Sequence, residues 1–474
     1  MSNESPIRIA VIGSGPAGFY AAGHLLKESA VEVEVDMLER LPTPWGLVRS
    51  GVAPDHPKIK SVSRVYEKTA AHPRFRYFGN VTLGEDISRE DLLAHYHAVV
   101  YATGSALDRP LGIPGEDLVG SHAATEFVGW YNGHPDFCDL EVELLRAERA
   151  LVIGNGNVAL DVARMLVLGT QELAPTDTAD HALEVLAQSS VREVVIAGRR
   201  GPAQAAFTNP ELRELGELGD ADVVVNRDEL EQALATPDPA AEQDITSRRN
   251  VEILRGYAER KPTNAARQVS LRFLLSPVEL IGDESGRVAA VELVRNELTA
   301  REDGSLRAQP TEQRERMECE LVFRAIGYRG LPLPGLPFDE ARGIVPNEGG
   351  RITDPDSGRT LAGEYVVGWI KRGPTGVIGT NKKDAQETVD ALLADAQAAS
   401  NGERRLLAPE EPDAEALESM LRERKPSLVT YSGWEQIDEH ERSHGERSGR
   451  PRVKLTRIED MLRVAGSEEP EKSS

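Results

Sequence analysis

Cysteine is scarce in this sequence. Only Cys138 and Cys319 occur in 474 residues, and no Cys-x-x-Cys motif is present. Such a pair offers no redox dithiol and too few thiolates for an iron–sulfur cluster, so we expect no metal centre. Two reduced thiols are typical of a cytoplasmic protein.

Long apolar runs and positive charge are also lacking. No run of about 18 apolar residues occurs, and residues 1–6 carry neither the basic region nor the apolar core of a secretion signal. We therefore expect a cytoplasmic chain with no membrane span. The net charge of −23 argues against nucleic-acid binding by bulk electrostatics, which leaves a local basic patch as the alternative.

Glycine, by contrast, follows a regular spacing near the N-terminus. Residues 7–12 are apolar except for Arg8 and mostly β-branched, which predicts a buried parallel strand. In the GSGPAG motif that follows, we expect Gly13 to permit a tight turn and Gly15 to admit a pyrophosphate. Gly18 would allow close packing of the next helix, whose positive N-terminal end points at the phosphates.

A second predicted strand, residues 33–38, completes this βαβ unit. It ends at Glu39, about 20 residues beyond the last glycine, where a carboxylate can accept hydrogen bonds from ribose hydroxyls. A glycine-rich turn in another kind of α/β protein is the alternative. Strand, glycines, helix, strand and acid in this order predict a dinucleotide site.

The segments that follow extend the first domain. Residues 40–57 are rich in proline and glycine, which predicts a long functional loop rather than a helix. A helix over 58–71 and a strand over 74–81 come next. Residues 98–104 predict a strand that enters an Ala-Thr-Gly turn and closes over the bound dinucleotide.

A second unit of the same kind begins at residue 150. A strand over 151–153 leads into GNGNVA and a helix over 159–168, with Ala159 in place of the third glycine. The next strand, 194–197, ends at Arg199 and Arg200 instead of an acid. Two guanidiniums can bind a 2′-phosphate that a carboxylate would repel, which favours NADP over NAD. A solvated basic turn is the alternative.

The rest of the chain gives a coarser pattern. Residues 169–190 read as an inserted loop with a short helix, and strands are predicted over 223–225, 251–254, 269–275, 288–294 and 321–328. A strand over 363–370 precedes a glycine-rich stretch and a helix, an arrangement that suits a flavin pyrimidine. Helical patches are predicted over 414–424 and 458–464, with a disordered tail from residue 466.

Five motifs carry a family resemblance. They are GSGPAG (13–18), WGLVRSGVAPDHP (45–57), IGNGNVALDVAR (153–164), GRRGP (198–202) and the stretch from Gly368 to Asn381. Together they closely resemble the adrenodoxin-reductase-type ferredoxin–NADP reductases, particularly the FprA-like bacterial branch. The match runs in order from about residue 7 to residue 389 and extends weakly into the tail.

The resemblance implies an α/β flavoprotein with two Rossmann-like dinucleotide-binding domains. FAD would occupy a discontinuous domain formed by residues 1–108 and 331–474, and NADP an inserted domain of residues 109–330. Beyond the glycines of the first turn, the implied FAD contacts are Ala17, Glu39, Leu47, Val81, Arg109, Trp369, Gly376, Val377 and Ile378. The implied NADP contacts are Asn155, Gly156, Asn157, Val158, Arg199, Arg200, Glu211 and Gly376.

The resemblance also places two catalytic residues, His56 and Glu214, near the nicotinamide. Judged by sequence alone, His56 could simply hydrogen-bond its own loop, and Glu214 could be a solvated helix residue. Trp369 could likewise be plain core. The implied reaction is hydride transfer from NADPH to FAD, with the two rings aligned, followed by single-electron transfer to a separate ferredoxin.

Four alternatives remain open at this stage. Other flavoenzymes are one class: a disulfide reductase, a glutamate-synthase-like electron-transfer subunit, or an NADPH-dependent monooxygenase. The lack of Cys-x-x-Cys argues against the first, and the lack of a cysteine-rich N-terminus against the second. A nucleotide-sensing scaffold without turnover is an alternative of another class.

Ferredoxins are usually acidic, and so is this chain, which is a difficulty for docking. Residues 246–275 carry seven basic side chains against two acidic ones, a balance of +5. We therefore expect this segment to contribute to docking, with steering that weakens as salt rises. A solvated face is the alternative.

Overall fold

A computed structural model describes residues 6–27, 31–263, 265–302, 304–400 and 406–467. The chain divides into two compact units: a discontinuous unit of Met1–Leu107 and Tyr328–Ser474, and an inserted unit of Asp108–Gly327. The predicted crossings were after residues 108 and 330. Among the described residues, no helix combines the length and apolar content needed to cross a membrane.

The first segment of the discontinuous unit alternates strands and helices. Its elements are β1 (Ile7–Ile12), α1 (Pro16–Leu25), β2 (Val33–Glu39), α2 (Leu47–Ser50), α3 (Pro57–Lys60), α4 (Ser63–Ala70), β3 (Phe75–Gly79), α5 (Arg89–His95) and β4 (Ala98–Tyr101). A two-residue strand, β5 (Leu107–Asp108), lies at the crossing to the inserted unit.

The inserted unit begins with alternating strands and helices and ends in strands. Its elements are β6 (Ser121–Ala123), α6 (Ala124–Tyr131), β7 (Arg149–Ile153), α7 (Asn157–Val167), α8 (Thr170–Leu173), α9 (Asp180–Ala187), β8 (Glu193–Gly198), α10 (Asn209–Leu215), β9 (Ala221–Val225), α11 (Arg227–Leu234), α12 (Pro239–Gln243), α13 (Ile245–Glu259), β10 (Arg267–Phe273), β11 (Leu275–Gly282), β12 (Val288–Ala300), β13 (Leu306–Glu318) and β14 (Leu321–Arg324). Short 3-10 helices cover Pro135–Phe137 and Pro202–Gln204.

The second segment of the discontinuous unit completes its sheet and adds further helices. Its elements are β15 (Tyr328–Arg329), β16 (Asn347–Glu348), β17 (Arg351–Thr353), β18 (Thr360–Val366), α14 (Trp369–Arg372), α15 (Thr380–Ser400), α16 (Ala414–Arg424), β19 (Val429–Thr430), α17 (Tyr431–Arg447) and α18 (Ile458–Val464).

The sheet of the discontinuous unit has the order β16-β17-β18-β4-β1-β2-β3-β19, and β1 pairs in parallel with β2 and β4. Side chains of β1 alternate between two buried clusters, with Ile9 and Val11 on one face and Ala10 and Ile12 on the other. Both faces of the strand are therefore covered, which explains why every residue of the strand except Arg8 is apolar.

The inserted unit has a main sheet of order β6-β14-β7-β8-β10-β9, and β7 pairs in parallel with both neighbours. On β7, Ala150 and Val152 face the larger core, whereas Leu151 and Ile153 face a second cluster to which β11 and β12 contribute. A separate antiparallel sheet, β11-β12-β13, covers that second face.

Several sequence predictions match the structure, and others were wrong. The strands over 7–12 and 33–38 and the helices over 414–424 and 458–464 are present. The predicted loop 40–57 contains the one-turn helix α2, and the predicted helix 58–71 is split into α3 and α4. The strand predicted over 363–370 ends at Val366, and Trp369 begins a helix.

Two further corrections concern the inserted unit, and the prediction for the tail is not tested. Residues 251–254 lie within α13 and not in a strand, because a short apolar run does not distinguish the two structures. Residues 169–190 contain two helices, α8 and α9, rather than one. Most of the tail predicted to be disordered, residues 468–474, lies outside the described residues.

Candidate nucleotide-binding sites

The turn after β1 is shaped by its glycines. Gly13 has a φ of +104°, and a Cβ there would lie 2.7 Å from the carbonyl oxygen of Ala102. A Cβ on Gly18 would collide with the carbonyl oxygen of Gly13. A Cβ on Gly15 would meet no atom within 4 Å. Two glycines are thus required by chain packing, and the third leaves open space at the N-terminus of α1.

Two later segments approach this turn closely. A Cβ on Gly46 would lie 2.9 Å from the Cα of Gly15, and one on Gly368 would lie 2.6 Å from the Cβ of Ala17. The N–H of Trp45 donates to the carbonyl of Ser14 at 3.0 Å. We call these converging segments, residues 13–18, 45–47 and 368–369, the first cradle.

Glu39 lies at the end of β2, beside the first cradle. One carboxylate oxygen accepts from the N–H and the hydroxyl of Ser14 at 2.9 and 2.6 Å, and the other accepts from the N–H of Leu41 at 3.1 Å. The turn itself therefore fixes the orientation of this carboxylate. Contact of Glu39 with a ribose remains a prediction.

Buried polar atoms near the first cradle lack partners. The indole N–H groups of Trp45 and Trp369 and the hydroxyl of Ser105 are buried, with no hydrogen-bond partner among the described residues. The Trp369 ring lies 5.2 Å from the Tyr328 ring. An unpaired buried donor costs about 1–3 kcal/mol, so such groups point to a ligand.

The other predicted FAD contacts have varied surroundings. Leu47 begins α2 and is half-buried, and Val81 is buried with its N–H bonded to the carbonyl of Glu39 at 2.9 Å. Gly376, Val377 and Ile378 precede α15, and the N–H of Val377 donates to the Thr380 hydroxyl. Arg109 is exposed and belongs to the inserted unit.

The turn after β7 forms a second cradle, residues 154–159. A Cβ on Gly154 would collide with the carbonyl oxygen of Ala325, and a Cβ on Gly156 would meet open space. The side-chain nitrogen of Asn155 is buried without a partner among the described residues. Asn157 accepts from the N–H of Thr208 at 2.8 Å. Val158, on the first turn of α7, is half-buried.

Two arginines follow β8 in the inserted unit. Arg199 is exposed and Arg200 is half-buried, and neither forms an ion pair within the described part of the chain. Burial, and then the charge of Arg199, lower the pKa of the Arg200 guanidinium. An anion at this position would relieve the repulsion between the two side chains.

The predicted catalytic residues lie in different units. His56, in the discontinuous unit, is 9% exposed, and its N–H donates to the carbonyl of Ala53 at 3.0 Å. Glu214, in the inserted unit, lies on α10 with Glu211, and its side chain is 45% exposed. Both glutamates lie 3.7 Å from the buried guanidinium of Arg164, which sequence reasoning did not single out.

The basic segment 246–275 is less cationic in the structure than its composition indicates. Arg255 pairs with Glu231 at 2.9 Å, and Arg272 pairs with Glu229 and Glu315. The Arg267 guanidinium donates to two backbone carbonyls. Exposed cations without an ion pair, among the described residues of α13, are Arg248 and Arg249.

Comparison with known proteins identifies the family. Residues 7–197 match the family described as pyridine nucleotide-disulphide oxidoreductase. The chain is 52% identical over 463 residues to NADPH-ferredoxin reductase FprA of Mycobacterium tuberculosis, covering 97% of this chain and 99% of that protein. This chain belongs to the NADPH-ferredoxin reductase family.

Members of this family from distant organisms also match. The mitochondrial NADPH:adrenodoxin oxidoreductase of Arabidopsis thaliana is 41% identical over 479 residues, with 98% of this chain and 97% of that protein covered. The structure of M. tuberculosis FprA in complex with NADPH superposes with a TM-score of 0.91 at 51% identity, covering 97% of this chain and all of that one. These matches confirm the resemblance and the two-domain Rossmann fold class predicted from the motifs.

Proposed function

We propose that this chain is an FAD-containing NADPH:ferredoxin oxidoreductase of the NADPH-ferredoxin reductase family. The discontinuous unit holds FAD, and the inserted unit holds NADP. The observation that carries the proposal is the pair of cradles, which share one backbone design but end in a carboxylate at Glu39 and in two unpaired guanidiniums at Arg199 and Arg200. A cytoplasmic location fits the two free cysteines.

The first cradle suits FAD on three grounds. Open space at Gly15 and the N-terminus of α1 suit a pyrophosphate, Glu39 suits a ribose, and the indole N–H groups of Trp45 and Trp369 offer unused donors. The residues that would hold FAD are Gly13, Gly15, Ala17, Gly18, Glu39, Leu47, Val81, Arg109, Trp369, Gly376, Val377 and Ile378. When bound, FAD supplies the capacity to accept a hydride and to release electrons one at a time.

The second cradle suits NADP. Gly156 leaves room for the pyrophosphate, and the buried amide of Asn155 has an unused donor. Arg199 and Arg200 can bind the 2′-phosphate with charge-assisted hydrogen bonds. The residues that would contact NADP are Asn155, Gly156, Asn157, Val158, Arg199, Arg200, Glu211 and Gly376.

His56 and Glu214 remain the proposed catalytic residues. His56 orients the nicotinamide and carries a proton path through its imidazole nitrogens, and Arg164 holds the Glu214 carboxylate in place. A His56→Ala variant should retain FAD but show slower flavin reduction by NADPH in stopped-flow measurements. An unchanged rate would remove His56 from the mechanism.

Docking of the iron–sulfur partner involves Arg248 and Arg249, which are exposed cations on α13 of an otherwise acidic chain. Reversing both charges should lower the ferredoxin-dependent rate and flatten its dependence on ionic strength. Reversal of Arg255, which lies on the same helix as Arg248 and Arg249 but pairs with Glu231 of α11, is the matched control and should have the smaller effect. Equal effects of the two changes would exclude docking at this place.

An anaerobic titration tests the function as a whole. Purified protein should be yellow, NADPH should bleach the flavin absorbance, and added ferredoxin should restore it. Reduction of ferredoxin without any organic substrate would separate this enzyme from a monooxygenase. A colourless protein, or a yellow one that NADPH does not bleach, would indicate a nucleotide-binding scaffold and contradict the proposal.

A further inference from the structure

The C-terminal part of the discontinuous unit packs against the loop of the first cradle. Strand β19 pairs with β3, and α17 follows it directly. On α17, Trp434 is 1% exposed, and its ring lies 4.9 Å from the Trp45 ring in an edge-to-face arrangement. The Arg49 guanidinium carbon lies 5.4 Å from the centre of the Trp434 ring. This helix thus contacts the loop that approaches the glycine turn.

A buried charge cluster lies at the centre of this contact. Glu441 of α17 is fully buried, and its two carboxylate oxygens accept from the Arg49 guanidinium at 2.8 and 2.5 Å. Arg452 donates to the same carboxylate at 3.0 Å, and the N–H of Leu455 at 2.8 Å. Burial alone would raise the pKa of Glu441, but the charges of Arg49 and Arg452 outweigh it and hold this pKa below its usual value.

The cluster reaches the cradle through α2. Arg49 lies on this one-turn helix, three residues after Gly46, whose Cα faces that of Gly15. The ammonium of Lys454 donates to the carbonyl of Arg49 at 3.2 Å. A helix of four residues has little stability of its own, so its position depends on such tertiary contacts. Helix α17 and the segment after it therefore help to hold residues 45–50 in place.

We propose that Glu441 is a positioning residue that locks α2 against the first cradle and thereby slows the loss of FAD. This inference rests on the proposed function, because it takes FAD to be the ligand of the first cradle. Glu441 acts through Arg49, since the carboxylate fixes the guanidinium and the guanidinium fixes the loop. Removal of one partner leaves a buried charge uncompensated, which disturbs the loop.

The variant Glu441→Gln tests the inference in the full-length holoprotein. It keeps the shape of the side chain and removes the charge that holds Arg49. We expect FAD to dissociate about tenfold faster, measured as the rise of free-flavin fluorescence after dilution. The visible circular dichroism of the bound flavin should also change, because the loop around it is displaced.

The matched control is Asp395→Asn in the same unit. Asp395 lies on α15, is 3% exposed, and pairs with Arg351 at 2.7 and 3.0 Å. Along α15 it is 15 residues beyond Thr380, about 22 Å from the end that faces the cradle. This control loses a bidentate ion pair with a buried carboxylate, although its arginine is 29% exposed, so it should lower thermal stability but leave FAD dissociation as in the wild type.

A milder variant decides the matter if Glu441→Gln does not fold. Lys454→Met keeps an apolar stem in place and removes the ammonium that donates to the Arg49 carbonyl. We expect a smaller acceleration of FAD release, about threefold. If both variants fold and both release FAD at the wild-type rate, the inference is overturned. If only Lys454→Met folds, release of FAD from it at the wild-type rate overturns the inference. Wild-type protein that binds no FAD would instead overturn the proposed function.

Discussion

The turn after β1 and the turn after β7 follow the same backbone path but differ in their side chains. Gly13 and Gly154 both have positive φ angles, +104° and +140°, and Gly15 and Gly156 both leave open space where a Cβ would stand. At the third position the first turn has Gly18 and the second has Ala159. The shared positions define a place for a dinucleotide, and the others distinguish the two ligands.

The polar ends of the two cradles differ more strongly. Glu39 already accepts three hydrogen bonds from the protein, so its carboxylate is oriented in advance. Neither Arg199 nor Arg200 forms an ion pair within the described part of the chain, and burial and the charge of Arg199 lower the pKa of the Arg200 guanidinium. The first end is thus preorganised for a ligand that stays bound. We expect the second to gain its stabilising partner only when a phosphorylated nucleotide binds.

The largest expected effect is on coenzyme choice. Changing Arg199 and Arg200 together to Ala should lower kcat/KM for NADPH about 100-fold, because two charge-assisted contacts to the 2′-phosphate are lost. The value for NADH should change little, since NADH lacks that phosphate. Steady-state kinetics with both coenzymes tests this. A similar fall in kcat/KM with both coenzymes would mean that the two arginines stabilise the fold and do not select NADPH over NADH.

The next effect concerns the third position of each turn. A Gly18→Ala change places a Cβ against the Gly13 carbonyl, so the backbone must shift, and we expect a loss of about 2–3 kcal/mol in unfolding free energy and reduced FAD content. The reciprocal change Ala159→Gly should cost about 1 kcal/mol and leave FAD content unaltered. Urea unfolding and the flavin-to-protein absorbance ratio provide the measurements. Full FAD content in Gly18→Ala would contradict the prediction.

The smallest expected effect is a difference in pH response between the units. In the inserted unit, burial raises the pKa of Asp108 to about 6 in spite of the nearby Arg324. An acid whose pKa is raised by folding binds its proton more tightly in the folded state. The contribution of Asp108 to stability is therefore present below about pH 4 and is lost as the pH rises to about 6. When the pH is raised from 5 to 7.5, the unfolding free energy of Asp108→Asn should therefore fall by about 1 kcal/mol less than that of the wild type.

Asp91 of the discontinuous unit is the control for that comparison. A hydrogen bond from Arg424 lowers the pKa of Asp91 to about 2, so its contribution is fully present above about pH 4 and is lost only as pH falls toward 2. Asp91→Asn should consequently lower the unfolding free energy by the same amount at pH 5 and at pH 7.5. Urea midpoints at the two pH values test both variants. If the stability of Asp108→Asn changed with pH as much as that of the wild type, the raised pKa of Asp108 would be refuted.

Elements with a strong local pattern could be predicted from the sequence, and those fixed by distant contacts could not. Strand β1 was predicted at its observed bounds because a mostly apolar, β-branched run between polar segments is a local signal. Helix α2 was missed because its surroundings are rich in proline and glycine and its anchor, Glu441, lies 392 residues away. Helix α13 was read as a strand from four residues, although Asn250 and Tyr257 anchor it as a helix.

The candidate sites show the same division. The glycine turns and the arginine pair could be found from spacing, because each occupies one short stretch of chain. Ser14 as the partner of Glu39, and Arg164 as the partner of Glu211 and Glu214, could not. Each of these contacts joins residues that only the fold brings together.

The discontinuous unit has a consequence for synthesis on the ribosome. Its sheet is complete only when β18 reaches β4 and β19 reaches β3, and Glu441 is among the last residues to arrive. The inserted unit, in contrast, has all its strands once residue 324 has emerged. We therefore expect the inserted unit to complete its sheet first during translation. The discontinuous unit would keep unpaired strand edges until β18 and β19 have been synthesised.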